Sequence, residues 1–332
     1  MALVQIADVV VPEIFTPYAQ LITEEKSRLI QSGAAARNGQ FDASLAGGGL
    51  TFNDPSWNDL ANDADNVGDD SETPAVPNNL TAVQEIQVRL SRNQHWKAAD
   101  LSAALAGDDP MQAIAGRVGG YWSRRAQAVL VATMAGVFAD NTANDAGDYT
   151  NDITGAFTPG VTDFSAEAVI DTAVTAGDSL EDFAMIMVHS VVYAKMRKNN
   201  LIDFIRDSDN DTRIAVFGDL EVIVDDGLPV ATQDYDSWLF GPGAIQVGVS
   251  TPKVATEVTR EALEGLGAGT EILSNRVEWI LHPAGHAYVG TAPNGGPSNA
   301  ATANNLAAAT SWNRVFPERK QVKIARLRTT EA

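Results

Sequence analysis

Few side chains in this sequence could carry chemistry, and each stands in the wrong company for it. His282 and His286 are four apart, the spacing that turns two imidazoles toward one zinc ion on a helix, but Pro283 and Gly285 between them oppose that helix. His95 and His189 are far away in sequence. Asp207, Asp209 and Asp211 imitate the alternating carboxylates that open a calcium loop. The sixth position of that loop, where glycine is demanded, is Thr212, and the twelfth, where a bidentate Glu belongs, is Gly218. A solvated turn is the better reading. Gly265, Gly267 and Gly269 form G-x-G-x-G, a spacing that misses the dinucleotide fingerprint and has no apolar strand feeding it, so they read as a loop.

The sequence has no phosphate-cradling G-x-x-x-x-G-K-[ST] and no G-x-S-x-G nucleophile elbow. It has no cysteine, which removes disulfides, thiolate metal sites and thiol nucleophiles together. Acid pairs such as Asp225 with Asp226 are inevitable in a chain with 43 acidic residues, and nothing selects one of them for hydrolysis. Trp96, Tyr121, Trp122, Trp238, Trp279 and Trp312 sit in patterned segments and read as core or subunit contacts rather than ligand-stacking platforms. The expectation is a protein that is not an enzyme, with no catalytic, cofactor-binding or metal-binding residues and no cofactor.

A chain of 332 residues, 45% hydrophobic, supports two domains or one elaborated one. The net charge of -20 argues against a surface built to neutralise phosphates or to lie on an anionic membrane. An acidic wall around DNA would repel it, within a screening length of roughly 8 Å. The opening MALVQIADVVVPEIF lacks a basic leader and carries Asp8 in its apolar stretch, so it reads as neither signal peptide nor anchor. No apolar run approaches the roughly eighteen residues of a membrane span. A product soluble in the cytoplasm before assembly is expected.

The elements that would position such residues follow from the pattern. Residues 1–40 mix a β-rich opening with a helical candidate, TPYAQLITEEKSRLIQSG. From Phe41 to Glu72 there are eight acids and no Lys or Arg, which predicts a solvated segment or a surface that meets a basic partner. EIQVRL alternates apolar and polar residues as a half-buried strand does, and Phe41 to about Asn93 reads as a two-stranded projection with an acidic tip. A long helix is predicted from Asp109 to about Ala139, capped by Asp108 or Asp109 with Pro110 at its first position, a rod of roughly 45 Å. Gly116, Gly119, Gly120 and Gly136 lower its propensity, and either close approach by a neighbouring backbone or a break at Gly119 and Gly120 would account for them.

Beyond a turn-rich connector at 141–160, a helix opened by Ser165, a buried strand FAMIMVH and a helix opened by Ser190 are expected. The strands RIAVF, EVIVDD and DSWLFGPGAIQVGVS follow, then strand-like sequence from Lys253 to Val289 and a flexible, small-residue excursion at 292–310. The tail from Arg314 holds six basic and two acidic residues, with QVKIARLR as a closing strand. The class is mixed, α+β, with a small sheet covered by helices.

This order of pieces resembles the major capsid proteins of tailed bacteriophages with the HK97-like fold. The local similarities are WKAADLSAALAGDDPMQAIAGRVGGYWSRRAQAVLVATMAGVFAD, which is similar to a loop-to-spine junction, the run from KMRKNNLIDFIRDSD to SWLFGPGAIQVG, and the segment NNLAAATSWNRVFPERKQVKIARLRT. The resemblance implies an N-terminal arm at 1–40, an extended β-hairpin loop at 41–100, and a peripheral domain whose long spine helix occupies 101–145. It also implies a mainly axial domain at 146–250, and peripheral strands, remaining axial segments and a closing strand at 251–332.

The implied function is a coat protein that assembles with itself, as hexamers and pentamers, into an icosahedral shell around the genome without sequence-specific DNA binding and without a membrane. Its implied locations are the virion and, during assembly, the host cytoplasm. The chain starts almost at the arm, so a separate scaffolding protein is expected, together with a portal and decoration proteins. Some such proteins crosslink Lys to Asn between subunits; Lys97 lies near the loop base, but no crosslink is expected. The acidic loop and basic tail are expected to meet on different subunits. The alternatives are an encapsulin-type compartment shell, a secreted acidic surface-layer or adhesin protein, and a glycosidase-like enzyme.

Overall fold

The computed structural model describes residues 34–58, 60, 64–68, 77–106, 109–206 and 213–331. The expected helix in TPYAQLITEEKSRLIQSG and the Asp207, Asp209 and Asp211 run lie outside the described residues. Strand β1 (Ala35–Arg37) leads into helix α1 (Gly39–Gly47), whose first turn is capped by the Asn38 side chain accepting from Gln40 N at 2.9 Å. Phe41 and Leu45, one turn apart, bury against Ile280. This start corrects the reading of a wholly solvated segment from Phe41. Two apolar residues at helical spacing suffice to dock a short helix, and a composition dominated by Gly and Asp hid them. Asp42 is held in place as well, accepting from Val249 N at 2.8 Å and pairing with Arg37 at 2.9 Å.

The projection is therefore shorter than 41–93. It is an antiparallel hairpin of β2 (Thr51–Trp57) and β3 (Ala82–Val88), in register from Thr51 opposite Val88 to Trp57 opposite Ala82. After Arg89 the chain continues as β4 (Leu90–Ala99), which pairs with a different strand, and then as a short helix α2 (Asp100–Ala106).

Helix α3 (Pro110–Asn144) is unbroken over 35 residues, about 52 Å. Asp109 accepts from Met111 N at 2.9 Å, and proline occupies the first turn, where its missing N–H costs nothing. The helix outruns its expected end because Asn141 ties the exit. Its side-chain N–H donates to Asp148 at 2.6 Å, and its side-chain oxygen accepts from Tyr149 N. At Gly136 a Cβ would collide with the Leu306 carbonyl oxygen and lie 2.7 Å from Trp312 Nε1, so the expected close approach is present there. Gly116 and Gly119 have nothing within 4 Å, and Gly120 meets only the Arg124 guanidinium at 3.7 Å. Among the described residues nothing requires those three glycines.

The remaining elements are β5 (Thr150–Asp152), α4 (Ala166–Val174), β6 (Met185–Val188), α5 (Ser190–Lys198), β7 (Asp203–Arg206), β8 (Arg213–Phe217), β9 (Leu220–Val224), β10 (Val230–Ala231), β11 (Asp234–Phe240), β12 (Ile245–Ser250), β13 (Thr256–Glu261), β14 (Thr270–Pro283), β15 (His286–Tyr288), β16 (Trp312–Arg314) and β17 (Ile324–Thr330). Ser165 caps α4 as expected, accepting from Ala168 N at 3.1 Å. Helix α5 is capped by His189 rather than Ser190: its Nδ1 accepts from Val191 N at 3.2 Å.

Two sheets flank α3. In the first, β14 carries β4 along one edge and β12 followed by β13 along the other, with β1 parallel to β12. The second runs β5-β17-β11-β6-β9-β8-β7, with β10 attached to β11. The closing strand β17 is thus interior to its sheet, antiparallel to β11 from Asp234 opposite Thr330 to Phe240 opposite Ile324. A continuous core joins the C-terminal half of α3 (Val129, Leu130, Met134, Val137, Phe138) to Met187, Trp238, Ile245, Leu281 and Trp312. Excluding this apolar surface from water is the main stabilising term.

The excursion at 292–310, expected to be flexible, packs down. Leu306 is fully buried under Gly136, and Asn305 accepts from Ser298 N and Ser298 Oγ at 2.9 and 2.7 Å. Gly296, at φ 83°, lies where a Cβ would strike the Arg89 carbonyl, so only glycine lets this loop cover the base of the hairpin. Small residues, which looked like a sign of freedom, are what permit the close contact.

Candidate assembly surfaces

The histidines spaced like metal ligands make internal contacts. His282, only 1% exposed on β14, faces Glu85 of the hairpin, Nε2 to Oε2 3.0 Å. His286, one tight turn later, sets Nδ1 3.1 Å from the Ala284 carbonyl and packs edge-on to Tyr149 at 5.9 Å. Burial pushes its imidazole down to about 3, so it is neutral. His95 bonds Ser274 at 2.8 Å. Among the described residues no three His, Asp or Glu side chains come together as metal ligands would.

The acid pair diverges. Asp225 accepts from Gln127 of α3 at 2.6 Å and from Gly227 N at 2.7 Å, whereas Asp226 accepts from Ser190 N at 3.1 Å. Gly265, Gly267 and Gly269, all at positive φ, form the turn between β13 and β14. The aromatic residues fall in packed clusters. Trp96, Tyr121, Trp122 and Trp279 stack edge-to-face at 5.4, 5.1 and 5.7 Å, joining α3 to the first sheet, and Tyr288 meets Trp312 in the same way at 5.6 Å.

The basic tail corrects an expectation. Its charges find their partners at home: Arg314 with Asp148 at 2.7 Å, Lys320 with Asp178 at 2.6 Å, Lys323 with Asp182 at 3.6 Å, and Arg328 with Asp152 at 2.7 Å and Asp236 at 3.2 Å. Arg326 lies 3.7 Å from Asp236, and Arg319 sits over the Tyr149 ring at 4.7 Å while donating to the Val322 and Ile324 carbonyls. Burial outweighs both guanidinium charges at Asp236 and raises its carboxyl above the ordinary range. These cations fasten β17 to its own sheet instead of reaching for another subunit, an outcome linear charge counting cannot anticipate because the carboxylates come from β5, β11 and residues near 178.

The surfaces left for partners are elsewhere. The base of the hairpin is anchored through Glu85 to His282 and through Arg89, which lies 3.4 Å from Glu278 and donates to the Leu45 carbonyl. Its distal strands are open, with Trp57 73% exposed. Strand β13 is exposed along its whole length at the sheet edge, and the turn after it presents Leu263 and Leu266 at 92% and 107% exposure. Ile170 and Val174 form an apolar pair one turn apart on the outer face of α4. The sequence reading did not single out Leu263 and Leu266, whose exposure only the turn between β13 and β14 decides. No helix among the described residues is long and apolar enough to cross a membrane.

A projecting hairpin and a long helix between two open sheets are the architecture of the HK97-like fold. The chain is similar to the capsid of Ralstonia phage GP4, with a TM-score of 0.62 at 9% identity over 100% of this chain and 98% of that one. It is also similar to the capsid of cyanophage Pam1, with a TM-score of 0.56 at 10% identity and 96% of each chain covered. No family model matches the sequence. In sequence it is 37% identical to the major capsid protein of Bacillus phage SPP1, over 96% of each. The chain belongs to the phage major capsid proteins.

Proposed function

We propose that this chain builds the icosahedral head shell of a tailed phage, associating with itself as hexamers and pentamers around DNA that it encloses without reading its sequence. The observation that carries the reading is 37% identity, over 96% of the chain, to a phage major capsid protein, together with a matching fold. The role is structural and not enzymatic, a reading supported by His282, His286 and Asp225, each of which makes an internal contact. Its places of action are the virion and, during assembly, the host cytoplasm. The other partners are a separate scaffolding protein, a portal and decoration proteins.

The proposed division is an arm at 1–40, an extended loop at 41–100, the spine helix at 101–145, a mainly axial domain at 146–250 and peripheral strands with the closing strand at 251–332. Subunits are held without covalent crosslinks: the Lys97 amine is engaged by Glu261 at 3.3 Å and by Glu264. The test is to express the chain, with its scaffold, and measure particle mass by light scattering with negative-stain imaging. Closed particles of sixty or more 35.2 kDa copies, roughly 2 MDa, are expected, running as a monomer band after boiling in detergent. A 35 kDa species under every salt, pH and scaffold condition would overturn the reading.

A further inference from the structure

The sequence contains two Asn-Gly dipeptides, Asn38-Gly39 and Asn294-Gly295. Such a pair is chemically labile, because glycine has no side chain to keep its backbone nitrogen away from the carbonyl carbon of the asparagine amide. Whether the pair reacts depends on what holds the two groups, and the fold treats them oppositely. Asn38 is half-buried and its amide is tied at both atoms: the oxygen caps α1 by accepting from Gln40 N at 2.9 Å, and the nitrogen donates to Gln246 Oε1 at 2.9 Å. Asn294 and Gly295 are both exposed, as the central residues of a turn closed by Gly296 N donating to the Pro293 carbonyl at 2.8 Å. Neither the Asn294 amide nor the Gly295 N–H bonds to any described residue.

The same turn seats the hairpin. The Gly295 carbonyl accepts from Ser91 N at 3.0 Å and from Arg92 Nη1 at 3.5 Å, and the Pro297 carbonyl accepts from the same guanidinium. Gly296 lies against the Arg89 carbonyl. Residues 89–92 join β3 to β4, so position 294 is one residue away from the contacts that hold the base of the hairpin.

We infer that Asn294 is a site of spontaneous deamidation in the folded chain, and that its isoaspartyl product loosens the segment 292–310 from the base of the hairpin. The Gly295 nitrogen attacks the side-chain carbonyl carbon of Asn294. The bond from that carbon to the side-chain nitrogen breaks, and ammonia leaves with the proton that Gly295 gives up, closing a succinimide ring. One water then opens the ring at either carbonyl, so the balance is one water consumed and one ammonia released, with no oxidant and no enzyme. Opening on one side leaves an aspartyl residue, which keeps the backbone and adds only a charge. Opening on the other leaves an isoaspartyl residue, which routes the chain through the former side chain and adds one backbone carbon immediately before Gly295. That extra carbon shifts the carbonyl that Ser91 N relies on. Asn38 is spared, because its amide must first give up two hydrogen bonds.

The experiment ages the full folded chain in mildly alkaline buffer at physiological temperature, locates acid products by tandem mass spectrometry of its peptides, and labels isoaspartate with an isoaspartyl methyltransferase. Product at 294 is expected to accumulate at least about tenfold faster than at 38, since the tied amide reacts only from locally opened states. In denaturant the two pairs should react at similar rates. Gly295→Ala adds a methyl group that meets only the Ser91 carbonyl, at 3.9 Å. This variant should fold normally and slow the loss at 294 by about tenfold, because the methyl group hinders ring closure. Equal rates at 38 and 294 in the folded chain, or a Gly295→Ala chain that ages like wild type, overturns the site. Amide hydrogen exchange at Ser91 reads the consequence: faster in the isoaspartyl chain than in fresh protein, and unchanged in Asn294→Asp. Exchange at Ser91 that is equal in isoaspartyl and fresh chains overturns the loosening.

Discussion

His286 shows how a residue with catalytic credentials becomes a structural one. Sealed from water and neutral, it binds no proton in the folded chain until the pH nears 3, whereas in the unfolded chain it does so near 6.5. The unfolded state therefore takes up the proton first. Its contribution to stability is complete above pH 6.5 and is lost as the pH falls toward 3, by an amount on the order of a few kcal/mol. His286→Gln is expected to flatten the fall of the melting temperature over that window, as thermal melts at stepped pH would show. A slope unchanged from wild type would mean the imidazole is not buried as described. That no helix aligns His282 with His286 was legible from Pro283 and Gly285. Their true partners were not, because Glu85 is 197 residues away from His282 and nothing local marks it.

At the level of elements, helix α3 follows its sequence signals closely and its glycines divide by environment. Gly136→Ala places a methyl group against the Leu306 carbonyl and Trp312. It should destabilise the chain by roughly 2 kcal/mol, read from denaturant unfolding of the unassembled protein. Gly119→Ala, with open space around it, should do the reverse and raise stability by up to about 1 kcal/mol. If both changes destabilise equally, the division is wrong. Loss of the cap in Asp109→Ala should cost about 1 kcal/mol in the same measurement. The capping pair Asp109 and Pro110 and the apolar repeat were readable because a helix start depends on neighbours in sequence. Helix α1 and the ordered excursion at 292–310 were not, because Phe41 and Leu306 owe their order to Ile280 and to the groove over Gly136.

For the molecule as a whole, the decisive arrangement is a closing strand that lies inside a sheet rather than at its edge. Asp236 stands between Arg326 and Arg328, and removing it leaves the half-buried Arg326 without its carboxylate. Asp236→Ala is expected to cost about 3 kcal/mol, visible as a lowered denaturation midpoint, and a loss below 0.5 kcal/mol would show the network to be inert. The order of hairpin, rod, mixed region and closing strand and the family were determined by sequence alone, since each depends on local pattern or on the succession of elements. Which charges are neutralised within the chain was decided only by the tertiary structure. Coulomb attraction acts through distance in space, and only folding brings Asp148, Asp152 and Asp236 to the tail.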